Sequence, residues 1–242
     1  MKPGNLRFGN FNSYTDYLLH IADLEIGQPA LNQIYVDVPY RNGSIDFTDL
    51  YGVSSYQDRI IKVKFQTSIL PDLTTPEIYG MYDSIIGEIY GTGIHELEID
   101  YIDGIFTGRV VSVSPVELFQ YGGEIDVEFR CNPFRISKEY IGCTDIWDDF
   151  YPFNRHVFSD CMHDNVTSEI TARLYNNSPV NIVPVINVID KPVTVTQGTS
   201  SKTYEVGEHE NTHIILYPNQ WNDVKINSEG GSIRFKWRRI FI

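Results

Sequence analysis

One stretch of this chain carries a helical stripe, and that stretch limits the fold more than any other feature. Between residues 75 and 89, apolar side chains stand at Ile78, Met81, Tyr82, Ile85, Ile86 and Ile89. These are the i, i+3, i+4, i+7, i+8 and i+11 positions of one helical face. Thr75 is the expected N-cap, Pro76 the first helical residue, and Gly91 and Gly93 the stop. Elsewhere the pattern alternates in twos. Residues 59–68 set Ile61, Val63 and Phe65 on one side and Lys62, Lys64 and Gln66 on the other. One strand–helix–strand passage is not a βα repeat, so a parallel α/β sheet is not expected.

The other expected strands of the first half are His20–Ile26, Leu31–Val38, Ile94–Tyr101, Ile105–Val113 after an Asp103-Gly104 turn, and Glu124–Cys131 after Gly122-Gly123. At Asn132-Pro133 the character changes. An aromatic, acidic stretch, Trp147 to Phe153, leads to short strands expected at 168–175, 180–189, 203–206, 213–217, 223–226 and 232–242. That rhythm of short strands and turns points to a β-sandwich. The expected organisation is two domains, 1–135 and 136–242. The fold class is mainly β, with an α+β N-terminal part.

The run Val36-Asp37-Val38-Pro39-Tyr40-Arg41-Asn42-Gly43-Ser44-Ile45-Asp46-Phe47-Thr48 reads as a hairpin turning at Asn42-Gly43, where positive φ is tolerated. It holds no nucleophile, metal cluster or phosphate loop, so it suits a building block better than a catalyst. The formal charge is −13; residues 1–135 carry 9 Lys+Arg against 19 Asp+Glu, so most of the negative charge lies there. Sequence-specific nucleic-acid binding needs a basic patch, and none is visible. Arg234, Lys236 and Arg238 alternate as on one strand face and read as a solvated edge strand. Three cysteines, Cys131, Cys143 and Cys161, are too few for a disulfide framework. With no apolar leader and no membrane-spanning run, the expectation is synthesis in a reducing cytoplasm and no membrane insertion.

Enzyme readings find little support. The carboxylates fall in like-charged strips, Glu96, Glu98 and Asp100 on one strand and Glu124, Asp126 and Glu128 on another. A glycosidase pair needs two carboxyls in different environments. Cys161, His163 and Asp164 are close in sequence only, and Cys131 and Cys143 have no partner ligands. His20, His95, His156, His209 and His213 form no ligand spacing. No catalytic or metal residue and no cofactor is expected.

Three ordered blocks resemble the distal tail proteins of long-tailed bacteriophages. The first is Val38-Pro39-x-Arg41-x-Gly43-x-Ile45-Asp46-x-Thr48, followed by Gly52, Tyr56 and Arg59. The second is Phe106-x-Gly108-Arg109-Val110. The third is Val127-x-Phe129-x-Cys131-x-Pro133-Phe134, which closes the first domain in that family. Tyr40 departs from the pattern, since the family often has glycine between the proline and the arginine. In the second half Asn176-Asn177, Pro184 and the Arg-rich last strand fit more loosely.

The resemblance implies a tail-tube-like N-terminal β-sandwich or barrel with one helix, followed by a galectin-like β-sandwich. It implies a structural virion protein of the tail tip or baseplate, built as a hexameric ring. Such a ring joins the major tail tube protein to the tail-associated hub or fibre protein for host attachment, and lets DNA pass. Within that frame Val36, Val38, Pro39, Arg41, Gly43, Ile45 and Phe47 are candidate inter-subunit residues. So are Gly80 and Gly87, which lie opposite the apolar stripe, although tolerated surface glycines would look the same. Glu96, Glu98, Asp100, Glu124, Asp126 and Glu128 are candidate channel-lining residues; a solvated face balanced by Lys62 and Lys64 is the alternative. A second functional reading is a carbohydrate-binding module contacting the host cell wall. It rests on Trp147, Trp221 and Trp237, for which burial in the core is the commoner role.

Overall fold

The computed structural model describes residues 4–48, 55–68, 74–119, 122–141 and 160–242. Backbone contacts divide the chain into two units, Met1–Arg135 with Ile242, and Ile136–Phe241. Each has its own hydrophobic core, and the pairings within β1–β10 and among β12–β19 are antiparallel.

The first unit runs β1 (Leu6–Phe8), β2 (Phe11–Asn12), α1 (Ser13–Tyr17), β3 (Leu19–Ile26), β4 (Tyr35–Val36), β5 (Ile45–Asp46), β6 (Arg59–Ser68), α2 (Thr75–Ile89), β7 (His95–Ile99), β8 (Ile105–Val113), β9 (Glu117–Phe119) and β10 (Gly122–Cys131). Its main sheet follows the order β3-β6-β10-β8-β7-β1. The Ile21 N–H donates to the Gly4 carbonyl at 3.3 Å, which draws the two ends of that order together as in a barrel. Alternation turns Ile61, Val63 and Phe65 of β6 and Ile125, Val127 and Phe129 of β10 inward. Tyr82, Ile85 and Ile89 of α2 join the same core, so the helix adds an apolar stripe to one sheet instead of crossing between parallel strands.

Helix α2 starts one residue earlier than the sequence suggests. Thr74 is the N-cap, in extended conformation, and the Glu77 carboxylate accepts from the Thr74 N–H and hydroxyl, each at 2.7 Å. The reason is the Glu77 carboxylate three residues downstream, which makes Thr74 the first residue of a capping box. Gly122-Gly123 opens β10 instead of forming a turn. A Cβ on Gly123 would stand 2.7 Å from the Tyr82 hydroxyl, so the helix crosses the strand where no side chain is in the way. Helix α1 has no periodic signature in the sequence, because five residues are too short for one. Its Thr15 N–H donates to the Asn12 side chain at 3.0 Å, and it ends at Leu18 in the left-handed region.

The second unit contains β11 (Arg135–Ile141), β12 (Met162–Val166), β13 (Ile170–Asn176), β14 (Val185–Ile189), β15 (Val193–Gln197), β16 (Ser200–Tyr204), β17 (Gly207–His209), β18 (Gln220–Ser228) and β19 (Gly231–Phe241). One sheet is ordered β13-β18-β15-β16. In the other, β14 lies between β17 and β19, with β12 and β11 also on β19. A single core fills the space between the sheets, with Leu174, Val224 and Val195 from one and Ile186, Ile233 and Phe235 from the other. This is the sandwich arrangement.

Strand β19 is not the edge strand expected from its charges, because β14 and β12 pair with it from opposite sides. Its cations are matched on their own face. Arg234 bonds Asp164, Lys236 reaches Glu208 at 2.7 Å, and Lys236 and Arg238 both stand about 5 Å from the Tyr140 ring centroid. Of the expected 213–217 strand, only Leu216 makes a bridge, to Ile182.

Candidate assembly surface

The 36–47 hairpin exists, but it is shorter in its strands and longer in its loop than the sequence suggests. Only Tyr35↔Asp46 and Val36↔Ile45 pair, leaving residues 37–44 as the loop. Leu31 makes an isolated bridge to Tyr56 and no strand. The left-handed residues are Tyr40 (φ 67°) and Gly43 (φ 81°), not Asn42 and Gly43. Tyr40 thus sits where a glycine would be unstrained, which explains why glycine is the residue the resemblance leads one to expect there. The strands are short because this segment has no core to face. Ile34, Tyr35, Val36, Val38 and Tyr40 are all exposed, while Ile45 and Phe47 are half-buried. Five exposed large apolar residues on one two-stranded arm form the densest such group among the described residues of the first unit. Gly52 lies outside the described residues.

On α2, Gly80 and Gly87 are exposed, and a Cβ at either would meet nothing within 4 Å. Both stand on the helix side away from Tyr82, Ile85 and Ile89, with Asp83 and Ser84 between them.

The carboxylates divide differently from expectation. Glu96 and Glu98 lie on β7, but Asp100 falls just past its end, in a turn, where its side chain accepts the Asn5 N–H at 3.3 Å. They therefore do not form one continuous strand face. Glu124, Asp126 and Glu128 do share the outer face of β10, opposite Ile125, Val127 and Phe129. Across the sheet, Asp126 is in register with Lys64 and Asp23, and Glu128 with Lys62 and Glu25. Lys64 stands 3.5 Å from Glu124 and 3.9 Å from Asp126, and Lys62 stands 3.7 Å from Glu25. A column of lysines thus runs between two columns of acids, and the acids outnumber it. Ion pairs this exposed contribute at most about 1 kcal/mol each, so this face does not hold the fold together. Asp23, Glu25, Lys62, Lys64, Asp126 and Glu128 line one shallow open depression with Ser112 and Ser114.

The trailing residues of the first sequence block, Tyr56 and Arg59, meet the second and third blocks. Tyr56 packs edge-on to Phe134 at 5.6 Å. The guanidinium of Arg59, a residue only 4% exposed, lies 5.3 Å from the Phe106 centroid, with Arg135 at 5.9 Å from the same ring. Burial, and then the charge of Arg135, lower the Arg59 pKa. A Cβ on Gly108 would come within 2.4 Å of the Arg130 carbonyl oxygen and 2.6 Å of the Cys131 sulfur. These contacts encode packing between β6, β8 and β10.

The side chains considered for chemistry are occupied elsewhere. Cys161 is part of the second core, His163 Nε2 is 2.9 Å from the Asp160 carbonyl, and Asp164 bonds Arg234. Cys131 is buried, and desolvation pushes its thiol up to about 12. Among the described residues no group of three or more His, Cys, Asp or Glu is placed to hold a metal ion, and no helix is long and apolar enough to cross a membrane. Cys143, Trp147 and His156 lie outside the described residues. Trp237 is 2% exposed, the expected core role, but Trp221 is 41% exposed on the outer face of β18.

No protein-family model matches the chain, and no curated protein does. Among solved structures, the Dit protein of phage SPP1, described as a paradigm of the hub adsorption apparatus in Gram-positive-infecting phages, aligns over 100% of both chains with a TM-score of 0.65 at 11% identity. Two structures of the phage p2 baseplate in its activated conformation, with Sr and with Ca, align over 97% and 96% of the chain. Their TM-scores are 0.40 and 0.33, at 10% and 11% identity. From β1 to β19, this mainly-β chain has the fold of a phage distal tail protein.

Proposed function

We propose that this chain is a structural component of a phage tail tip. Copies of it close into a ring, hexameric by the family resemblance, between the major tail tube protein and the tail-associated hub or fibre protein. The observation that carries this reading is the alignment along the whole of both chains with a hub protein of an adsorption apparatus. In it, residues 1–135 build the ring and residues 136–242 form the outer domain.

A ring of identical copies needs a heterologous contact that closes on itself. The exposed hairpin supplies one partner of that contact. Val36, Val38 and Pro39 bury against a sibling, Arg41 and Gly43 shape the tip, and Ile45 and Phe47 support it from the return strand. The helix side at Gly80 and Gly87 is the second candidate surface, because a backbone can approach closely at each glycine. Glu124, Asp126 and Glu128, with Glu96, Glu98 and Asp100, are the candidate channel wall. There the excess of acids over lysines would keep DNA phosphates from adhering. No chemical step is assigned to the chain.

The test is negative-stain imaging of the purified protein beside the variant Val36→Asp/Val38→Asp. Rings are expected for the natural sequence. The variant should show none, with its melting temperature unchanged, because both residues face solvent within one copy. Intact rings from the variant would remove the hairpin from the contact.

A further inference from the structure

We propose that the outer face of the β13-β18-β15-β16 sheet is a binding site for a neutral saccharide, with Trp221 as its stacking platform. This goes beyond the tail-tip reading and does not depend on it.

The register sets Tyr175 opposite Trp221, Arg173 opposite Asp223, and Thr171 opposite Lys225. These residues alternate with Ala172, Leu174 and Val224, which are fully buried, so they stand on the solvent side. The second unit buries Trp237 to 2% exposure and leaves Trp221 at 41%. The exposed ring is nonetheless fixed. The Arg173 guanidinium lies 5.1 Å from its centroid, and the Tyr175 ring meets it at 5.2 Å with planes 62° apart. A ring held by two neighbours and still open to water is a pre-organised platform, which spares a weak ligand the entropy of ordering it.

Charge selects the ligand. Arg173 pairs with Asp223 at 3.5 Å and Lys225 with Glu169 at 2.8 Å, so the four charges cancel. The Asp160 carboxylate, accepting the Arg173 backbone N–H at 3.3 Å, tips the balance slightly negative. Among the described residues this face holds no surplus cation for a phosphate- or carboxylate-bearing ligand. Beyond Lys225 the face continues as hydroxyls. Thr194 faces Thr203 and Thr196 faces Ser201, each pair at 2.8 Å, with Asn227 in register with Thr194. An apolar ring beside neutralised ion pairs and a row of hydroxyls complements a molecule with a C–H face and a rim of O–H groups.

The test is calorimetric titration of the full chain with cellohexaose, maltohexaose and chitohexaose, and separately with poly(glycerol phosphate). At least one neutral oligosaccharide should bind with a millimolar or tighter Kd. Trp221→Ala should weaken it at least tenfold without lowering the melting temperature. Thr196→Lys, which adds bulk and charge to the same face while leaving Trp221 in place, should weaken it as well. Absence of binding to all three sugars, binding unchanged in both variants, or binding to poly(glycerol phosphate) alone would overturn the proposal. So would a Trp221→Ala chain that keeps its sugar affinity but loses contact with another tail protein.

Discussion

Gly108 shows how little of a motif's meaning is local. It stands on β8 where β10 passes so closely that a single methyl group would lie 2.4 Å from the Arg130 carbonyl oxygen. Backbone cannot yield as a flexible side chain can, so Gly108→Ala should destabilise the protein by about 1–3 kcal/mol, read as a lower urea midpoint. A second prediction concerns alkali. Burial holds the Cys131 thiol near 12 against an ordinary value of 9.0, and burial with help from Glu124 holds the Tyr82 hydroxyl near 12 against 10.0. Both groups bind their protons more tightly in the folded state. The stability they contribute is therefore complete below about pH 9 and is lost as pH rises toward 12. Unfolding followed by urea should show that alkaline decline, and Cys131 should resist thiol reagents at pH 8 until the chain unfolds. The glycine in the second block was legible as a motif residue. Its cause was not, because the partner atoms lie some twenty residues away on another strand.

At the scale of elements, legibility tracked burial. The extent of β6 was readable because it alternates and one face is buried from Arg59 to Thr67, whereas in β8 the buried series Phe106, Gly108 and Val110 ends at a bulge at Val111. The expected 31–38 strand shrank to two residues because residues 33–38 are exposed, and β-propensity alone does not make a ladder. Strand β15, Val193–Gln197, alternates well, but it follows Asp190-Lys191-Pro192 so closely that the sequence reads there as a turn. Helix α2 was visible from its stripe, and only its cap was displaced, from Thr75 to Thr74. That cap has a pH signature. Bonds from the Thr74 N–H and hydroxyl lower the Glu77 pKa below its ordinary 4.5. Its stabilising effect is present above that value and is lost as pH falls through the lowered one. Glu77→Gln should lower the melting temperature at pH 7 and reduce the fall in stability between pH 5 and 3, as followed by circular dichroism.

At the scale of the whole chain, the mainly-β class followed from one helical stripe set in period-two sequence, and the sandwich half followed from its turn spacing. The functional surface was only partly readable. The hairpin was visible, but the exposure of Ile34, Tyr35 and Tyr40 beside Val36 and Val38 depends on what the rest of the fold fails to cover. The lysine column between the acids, Lys62 and Lys64, needed the β3-β6-β10 register. Light scattering on the concentrated, purified protein tests the central claim most directly. Closure into a ring predicts a mass of six copies of the 27.8 kDa chain. A particle of one copy at every concentration would contradict it.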